Sequence, residues 1–241
     1  MTAVLQHVLL RAQNLTKRFG GLAAVNDVSL DLVRGQIHAV IGPNGAGKST
    51  LTNLLSGDLP LTSGLIYLGD EDITGWSMER ISRRGLGRSF QKTNVFLPFT
   101  VFENVRLAAH FDLARTEQAI HLAKLEHHAQ TVAASMSHGE QRQLEIAMCL
   151  ANNPSVLVLD EPLAGMGAEE AERMIELLHS LKANHAIMLV EHDMDAVFAL
   201  ADVLTVMVDG RVIATGTPAD IRANAKVQAA YLGEEVGEEH E

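Results

Sequence analysis

The sequence predicts an α/β fold with a mostly parallel core sheet, an antiparallel β subdomain and a small helical subdomain. Three observations carry this prediction. Val156–Leu159, Ala186–Val190 and Leu204–Val208 are continuous apolar runs, the pattern of parallel strands covered on both faces. Residues 4–34 instead alternate polar and apolar side chains about a Phe19-Gly20-Gly21 turn, which predicts short antiparallel strands. Residues 90–111 hold five of the seven phenylalanines and lead into a His/Ala/Leu/Glu-rich pattern over 112–134, which reads as helical.

Taken in order, the hairpin is followed by Gln36–Ile41, a short apolar strand, then a Gly-rich loop, then Lys48–Ser56 with apolar residues at helical spacing. The helical subdomain is expected at about 92–145, inserted in a single domain spanning 4–235. Between the first two core strands, Met174, Leu177, Leu178 and Leu181 keep the i, i+3, i+4, i+7 spacing of a helix packed on one side, over Glu169–Leu181. Residues 236–241 read as a solvated acidic tail.

Hydrophobic residues make up 47% and charged residues 20% of the 241, which fits a globular chain rather than a disordered one. No apolar run is long enough to cross a bilayer, since Val197–Val208 is broken by Asp202. The opening MTAVLQHVLLRAQN lacks the basic start and cleavage site of a secretion signal, so a cytoplasmic protein is expected. Cys149 is the single cysteine, which excludes an internal disulfide and predicts a small buried hydrophobe. A net charge of −11 disfavours nucleic acid as a partner. His121 and His128 could share one helix face, but no carboxylate or cysteine set completes a metal site around them.

Gly42-Pro43-Asn44-Gly45-Ala46-Gly47-Lys48-Ser49-Thr50 fits the P-loop pattern, with a strand entering and a helix leaving. Its glycines let backbone N–H groups turn inward around phosphates, and the helix points its positive end at them. Lys48 is expected on the β- and γ-phosphates and the Ser49 hydroxyl on Mg²⁺. The strand Val156–Leu159 ends in Asp160 and Glu161, which places one carboxylate for the Mg²⁺ shell and the next for polarising water. Thr16-Lys17-Arg18-Phe19 lacks the final Asp of a guanine-reading segment, which favours ATP over GTP.

With these residues in view, Ser137-His138-Gly139-Glu140-Gln141 resembles the Ser-Gly-Gly-x-Gln signature of the ABC-type ATPases, a resemblance covering residues 8 to 233. It implies the ABC type of P-loop NTPase fold, ATP hydrolysis with Mg²⁺, and a composite site in which Ser137, Gly139 and Gln141 meet the γ-phosphate held by another subunit. It also implies that Asn44 through Thr50 cradle the nucleotide and that Phe19 stacks on adenine. Gln91 would touch Mg²⁺ and water, beside Ser49 and Asp160 as metal ligands, and His192 would contact the γ-phosphate, with Glu161 as the base. The wording Phe19–Val25, the His-Gly-Glu-Gln signature, Glu161–Met166 and Tyr231-Leu232-Gly233 is similar to importers of branched-chain and other hydrophobic amino acids. Urea or amide importers share much of it, whereas the local wording argues against the remaining alternative, a lipid-transport or export system, which differs only in its membrane partner.

The resemblance implies partners too: transmembrane permease subunits, a homodimer or a heterodimer with a sister ATPase, and a solute-binding protein indirectly, on the cytoplasmic face of the membrane. Three features depart from the family pattern. His138 replaces a signature glycine, Leu163–Met166 lacks the usual aspartate, and Leu113–Ala134 is short for the amino-acid importers. Val95, Phe96, Leu97, Phe99 and Phe102 form a candidate docking patch near Gln91.

Overall fold

The computed structural model describes the backbone of residues 7–235 and the side chains of residues 7–230. The acidic tail expected at 236–241, residues 4–6 of the expected domain and the side chains of Tyr231-Leu232-Gly233 lie outside the described residues. The chain opens with a hairpin of β1 (Val8–Phe19) and β2 (Leu22–Val33), then β3 (Ile37–Ile41), α1 (Lys48–Leu55), β4 (Ser63–Leu68), β5 (Glu71–Asp72), α2 (Met78–Arg84) and β6 (Leu86–Arg88). Next come α3 (Val101–Ala108), α4 (Leu113–Leu122) and α5 (His138–Leu150), before β7 (Val156–Asp160), α6 (Ala168–Lys182) and β8 (Ala186–Val190). The last elements are α7 (Met194–Leu200), β9 (Val203–Val208), β10 (Arg211–Gly216), α8 (Pro218–Arg222) and α9 (Ala225–Glu235).

Two sheets result. One is antiparallel in the order β2-β1-β4-β5, and the other runs β10-β9-β3-β8-β7-β6, parallel throughout except for the antiparallel edge strand β10. The continuous apolar runs are explained by what covers the parallel sheet. Leu157, Leu159, Ile187 and Leu189 enter a core shared with α3, α5 and α6, while Val156, Val158, Ala186, Met188 and Val190 enter a second core shared with the antiparallel sheet and α1. Successive side chains on one strand thus meet different apolar layers, so no position can be polar without a partner. Trp76 packs at the edge of the second core, with the Arg80 guanidinium 3.3 Å from its ring centroid.

Three expectations need correction. The opening strands are not short: each runs twelve residues, bent where the register shifts near Asn14 and Asp27, which have positive φ and share a 2.8 Å side-chain hydrogen bond. Nor is 112–134 one helical stretch. α4 stops at Leu122 because Lys124 turns left-handed (φ +56°) and the Leu125 N–H donates back to the Ile120 carbonyl at 3.0 Å. Beyond it lie two 3₁₀ turns, Glu126–His128 and Ala133–Ser135, and extended chain whose Thr131 carbonyl accepts from Val101 N–H at 2.9 Å. His121 and His128 therefore sit on different elements, each beside a glutamate, and among the described residues no group of three or more His, Cys, Asp or Glu could hold a metal ion. Cys149 is half-buried rather than buried, although its surroundings push the thiol pKa upward. No helix among the described residues is long and apolar enough to cross a membrane.

Candidate active site

The Gly-rich loop leaves the C-terminal end of β3 and enters α1 wedged between neighbours. A β-carbon on Gly42 (φ +152°) would lie 2.1 Å from the Met207 carbonyl oxygen at the end of β9, and one on Gly47 (φ +98°) 2.2 Å from the Ala24 carbonyl oxygen of β2. Only glycine fits either place. The turn after β9 closes the wedge, with Gly210 N–H donating to Ala46 at 3.0 Å and Asn26 N–H donating to Gly210 at 2.8 Å. Ala46 is buried, while Asn44, Gly45 and Ser49 are exposed and Thr50 half-buried. The Lys48 ammonium donates to the Gly42 and Pro43 carbonyls at 2.5 and 2.8 Å, so the lysine folds over its own loop.

Parallel strands end on the same side as that loop, which is how β7 and β8 bring their terminal carboxylates to it. Asp160 is buried, and its N–H donates to the Ser89 hydroxyl at 3.2 Å. Burial first, and Glu161 next, raise its pKa above the ordinary carboxylate value against the pull of Arg88, Arg142 and Lys48. Glu161 follows at φ +48°, held by its N–H to the Val190 carbonyl at 2.9 Å. The Gln91 amide donates to Glu161 Oε2 at 3.4 Å, and His192 Nδ1 lies 3.8 Å from Glu161 Oε1. Three residues far apart in sequence thus meet at one carboxylate.

Sequence reasoning missed three charged residues beneath this trio. Arg142 on α5 donates to the carbonyls of Phe90, at 2.7 Å, and Gln91, and pairs with Glu145 at 2.9 Å. Glu145 in turn accepts from Phe90 N–H at 3.1 Å, and burial raises its pKa. Glu191, 1% exposed, accepts from Leu163 N–H at 2.8 Å and His192 N–H at 3.3 Å, tying the segment after Glu161 to that of His192. Burial raises its pKa as well. The one available signal was charged residues on otherwise apolar faces, which in sequence reads as solvated surface.

Ser137 caps α5 in a capping box with Glu140, and Gly139 is buried under Glu170 of α6. Gln141 donates to the Ala133 and Met136 carbonyls at 3.0 and 3.4 Å, which braces the segment before the cap. Phe19 ends β1 half exposed, with the Lys17 ammonium 5.1 Å from its ring centroid. In the candidate docking patch Phe96, Leu97 and Phe99 are exposed, while Val95 and Phe102 are partly buried against the core.

Comparison with known proteins matches residues 25–164 to the family model described as ABC transporter. The branched-chain amino acid transport ATP-binding protein LivG of Escherichia coli (strain K12) is 39% identical, covering 94% of this chain and 98% of that protein. The chain belongs to the ABC transporter ATP-binding family. It is an ATPase cassette with the family's P-loop fold, and the ADP conformation of MJ1267, an ATP-binding cassette of an ABC transporter, superposes with a TM-score of 0.86 at 29% identity over 94% of this chain and 99% of that one. A second, shorter match, residues 211–237, is to a model described as branched-chain amino acid ATP-binding cassette transporter. The lipopolysaccharide export system ATP-binding protein LptB of E. coli (strain K12) is 34% identical over 94% of this cassette and 98% of its own length.

Proposed function

We propose that this cassette is the ATP-hydrolysing subunit of an importer of branched-chain or related amino acids, working as half of a dimer against transmembrane permease subunits. The observation that carries the hydrolytic part is Glu161 held between Gln91 and His192 at the end of β7. Backbone N–H groups of Asn44 through Thr50 line the phosphates, and Lys48 exchanges its loop carbonyls for phosphate oxygens. Phe19 offers its exposed ring to adenine. Ser49, Gln91 and Asp160 supply a hydroxyl, an amide oxygen and a carboxylate, the hard oxygen donors that suit Mg²⁺. When bound, the ion would neutralise charge on the phosphates. Glu161 takes the proton from attacking water, and His192 faces the terminal phosphate. Ser137 and Gly139 complete the site of the opposite cassette, with Gln141 bracing their loop.

The match at 211–237 and the similarity to LivG support amino-acid import. One observation favours lipid export as the second reading: α4 ends at Leu122, and the alignment to LivG runs 250 positions, longer than this chain, whereas that to LptB runs 237.

The test is light scattering after size-exclusion chromatography on Glu161→Gln with ATP and Mg²⁺. Removing the base is expected to slow hydrolysis by roughly 10²–10⁴-fold and leave ATP binding intact, so that ATP converts monomer to dimer, while Lys48→Ala stays monomeric. An ATP-bound Gln variant that remains monomeric removes the homodimer from the proposal. Uptake of labelled leucine by cells lacking the chain, with and without its restoration, decides between amino-acid import and export.

A further inference from the structure

The Ser137 hydroxyl donates to Glu170 Oε1 at 2.7 Å, across 33 residues of sequence. A β-carbon on Gly139 would stand 2.7 Å from the carboxyl carbon of Glu170 and 2.9 Å from Oε1, so the carboxylate lies directly over the first turn of α5. That helix is thirteen residues long, and its N-terminal N–H groups and dipole favour an anion at this spot. Glu170 also reaches Gly167 N–H, at the start of its own helix, but that contact is 3.4 Å long.

We propose that Glu170 is an internal occupant of the anion site formed by Ser137 and Gly139, and that its carboxylate must leave before the terminal phosphate of a partner cassette's nucleotide can enter. The proposal rests on the reading above that these two residues meet the opposite nucleotide. Stoichiometry requires the exchange. A serine hydroxyl has one proton to donate, and while Glu170 accepts it none is left for a phosphate oxygen. Charge requires it too, because a carboxylate and a phosphate cannot share one small cradle without repulsion. Ser137 is exposed and Glu170 half-buried, so rotation of the Glu170 side chain suffices to vacate the site. Glu170 is then a residue that sets how much ATP the dimer needs to close, without touching the reacting atoms.

The experiment titrates ATP against dimer formation by light scattering in the Glu161→Gln chain, alone and combined with Glu170→Ala, Glu170→Gln or Ser137→Ala. Glu170→Ala is expected to lower the ATP concentration at half-dimerisation by about 3- to 10-fold, the worth of one net hydrogen bond. Glu170→Gln, which keeps the length and removes the charge, shifts it the same way, and melting temperatures establish that both variants fold. An unchanged or higher midpoint in both overturns the proposal. If Ser137→Ala dimerises like its parent, the reading of Ser137 as the opposite site's ligand fails instead. A chain that forms no dimer in any background, Glu170→Ala included, overturns the proposal and removes the homodimer.

Discussion

Gly47 shows how much of the phosphate loop is set by a single missing methyl. Its left-handed backbone (φ +98°) and the Ala24 carbonyl oxygen only 2.2 Å from a would-be β-carbon leave no room for any other residue. Gly47→Ala is expected to cost at least about 1–3 kcal/mol in backbone strain alone, lowering the melting temperature and abolishing ATP binding, as thermal denaturation and a nucleotide titration would read. The need for glycine here is legible in the sequence, because the spacing to Lys48 is the motif itself. The opposing wall is not, since Ala24 and Gly210 reach the loop only through the hairpin and the turn after β9. The same limit applies to Gln91, Glu161 and His192: each was identifiable, but their convergence is a product of strand order. For Gln141 the spacing does not reveal that the amide also satisfies two backbone carbonyls of its own loop.

α5 carries two sites on one rod. At its start stands the Ser137 cap, and one turn later Arg142 and Glu145 grip the backbone of Phe90 and Gln91. Both charges are 5% exposed in their side chains, and breaking such a pair costs far more than it contributes when whole. Arg142→Met is expected to destabilise the chain by ~3–5 kcal/mol, because Glu145 is left buried and charged. The double variant Arg142→Met/Glu145→Leu should regain much of that in urea unfolding, yet remain slow in hydrolysis, since the guanidinium no longer holds the Phe90 and Gln91 carbonyls. Core strands were the most legible elements, their apolar runs being forced by cores on both faces. The pattern over 112–134 was over-read for the opposite reason: Ala, Leu and His tolerate helix without requiring it. The pairing of Thr131 and Ala133 with the 99–101 segment is a long-range contact that local spacing does not reveal.

At the scale of the molecule the two sheets are joined by a buried histidine. His38 on β3 has Nδ1 3.4 Å from the Asp31 carbonyl of β2 and Nε2 2.8 Å from the Thr205 hydroxyl of β9, which lies 2.9 Å from Thr215. The carbonyl can only accept, so Nδ1 carries the proton and Nε2 accepts from threonine, a neutral ring. Burial pushes its pKa down to about 4 from 6.5. The unfolded chain therefore takes up a proton that the folded chain refuses between those values, and stability falls as pH drops through this window. Urea unfolding is expected to show a loss of about 2–3 kcal/mol between pH 7 and 4.5 from this group, and His38→Gln to flatten that part of the profile. A different consequence follows from Trp76, the chain's single indole, stacked under Arg80 at the edge of the core beneath the antiparallel sheet. The molecule carries one dominant chromophore, and it is off-centre: fluorescence excited selectively at the indole reports on that flank rather than on the side of the fold that bears α5.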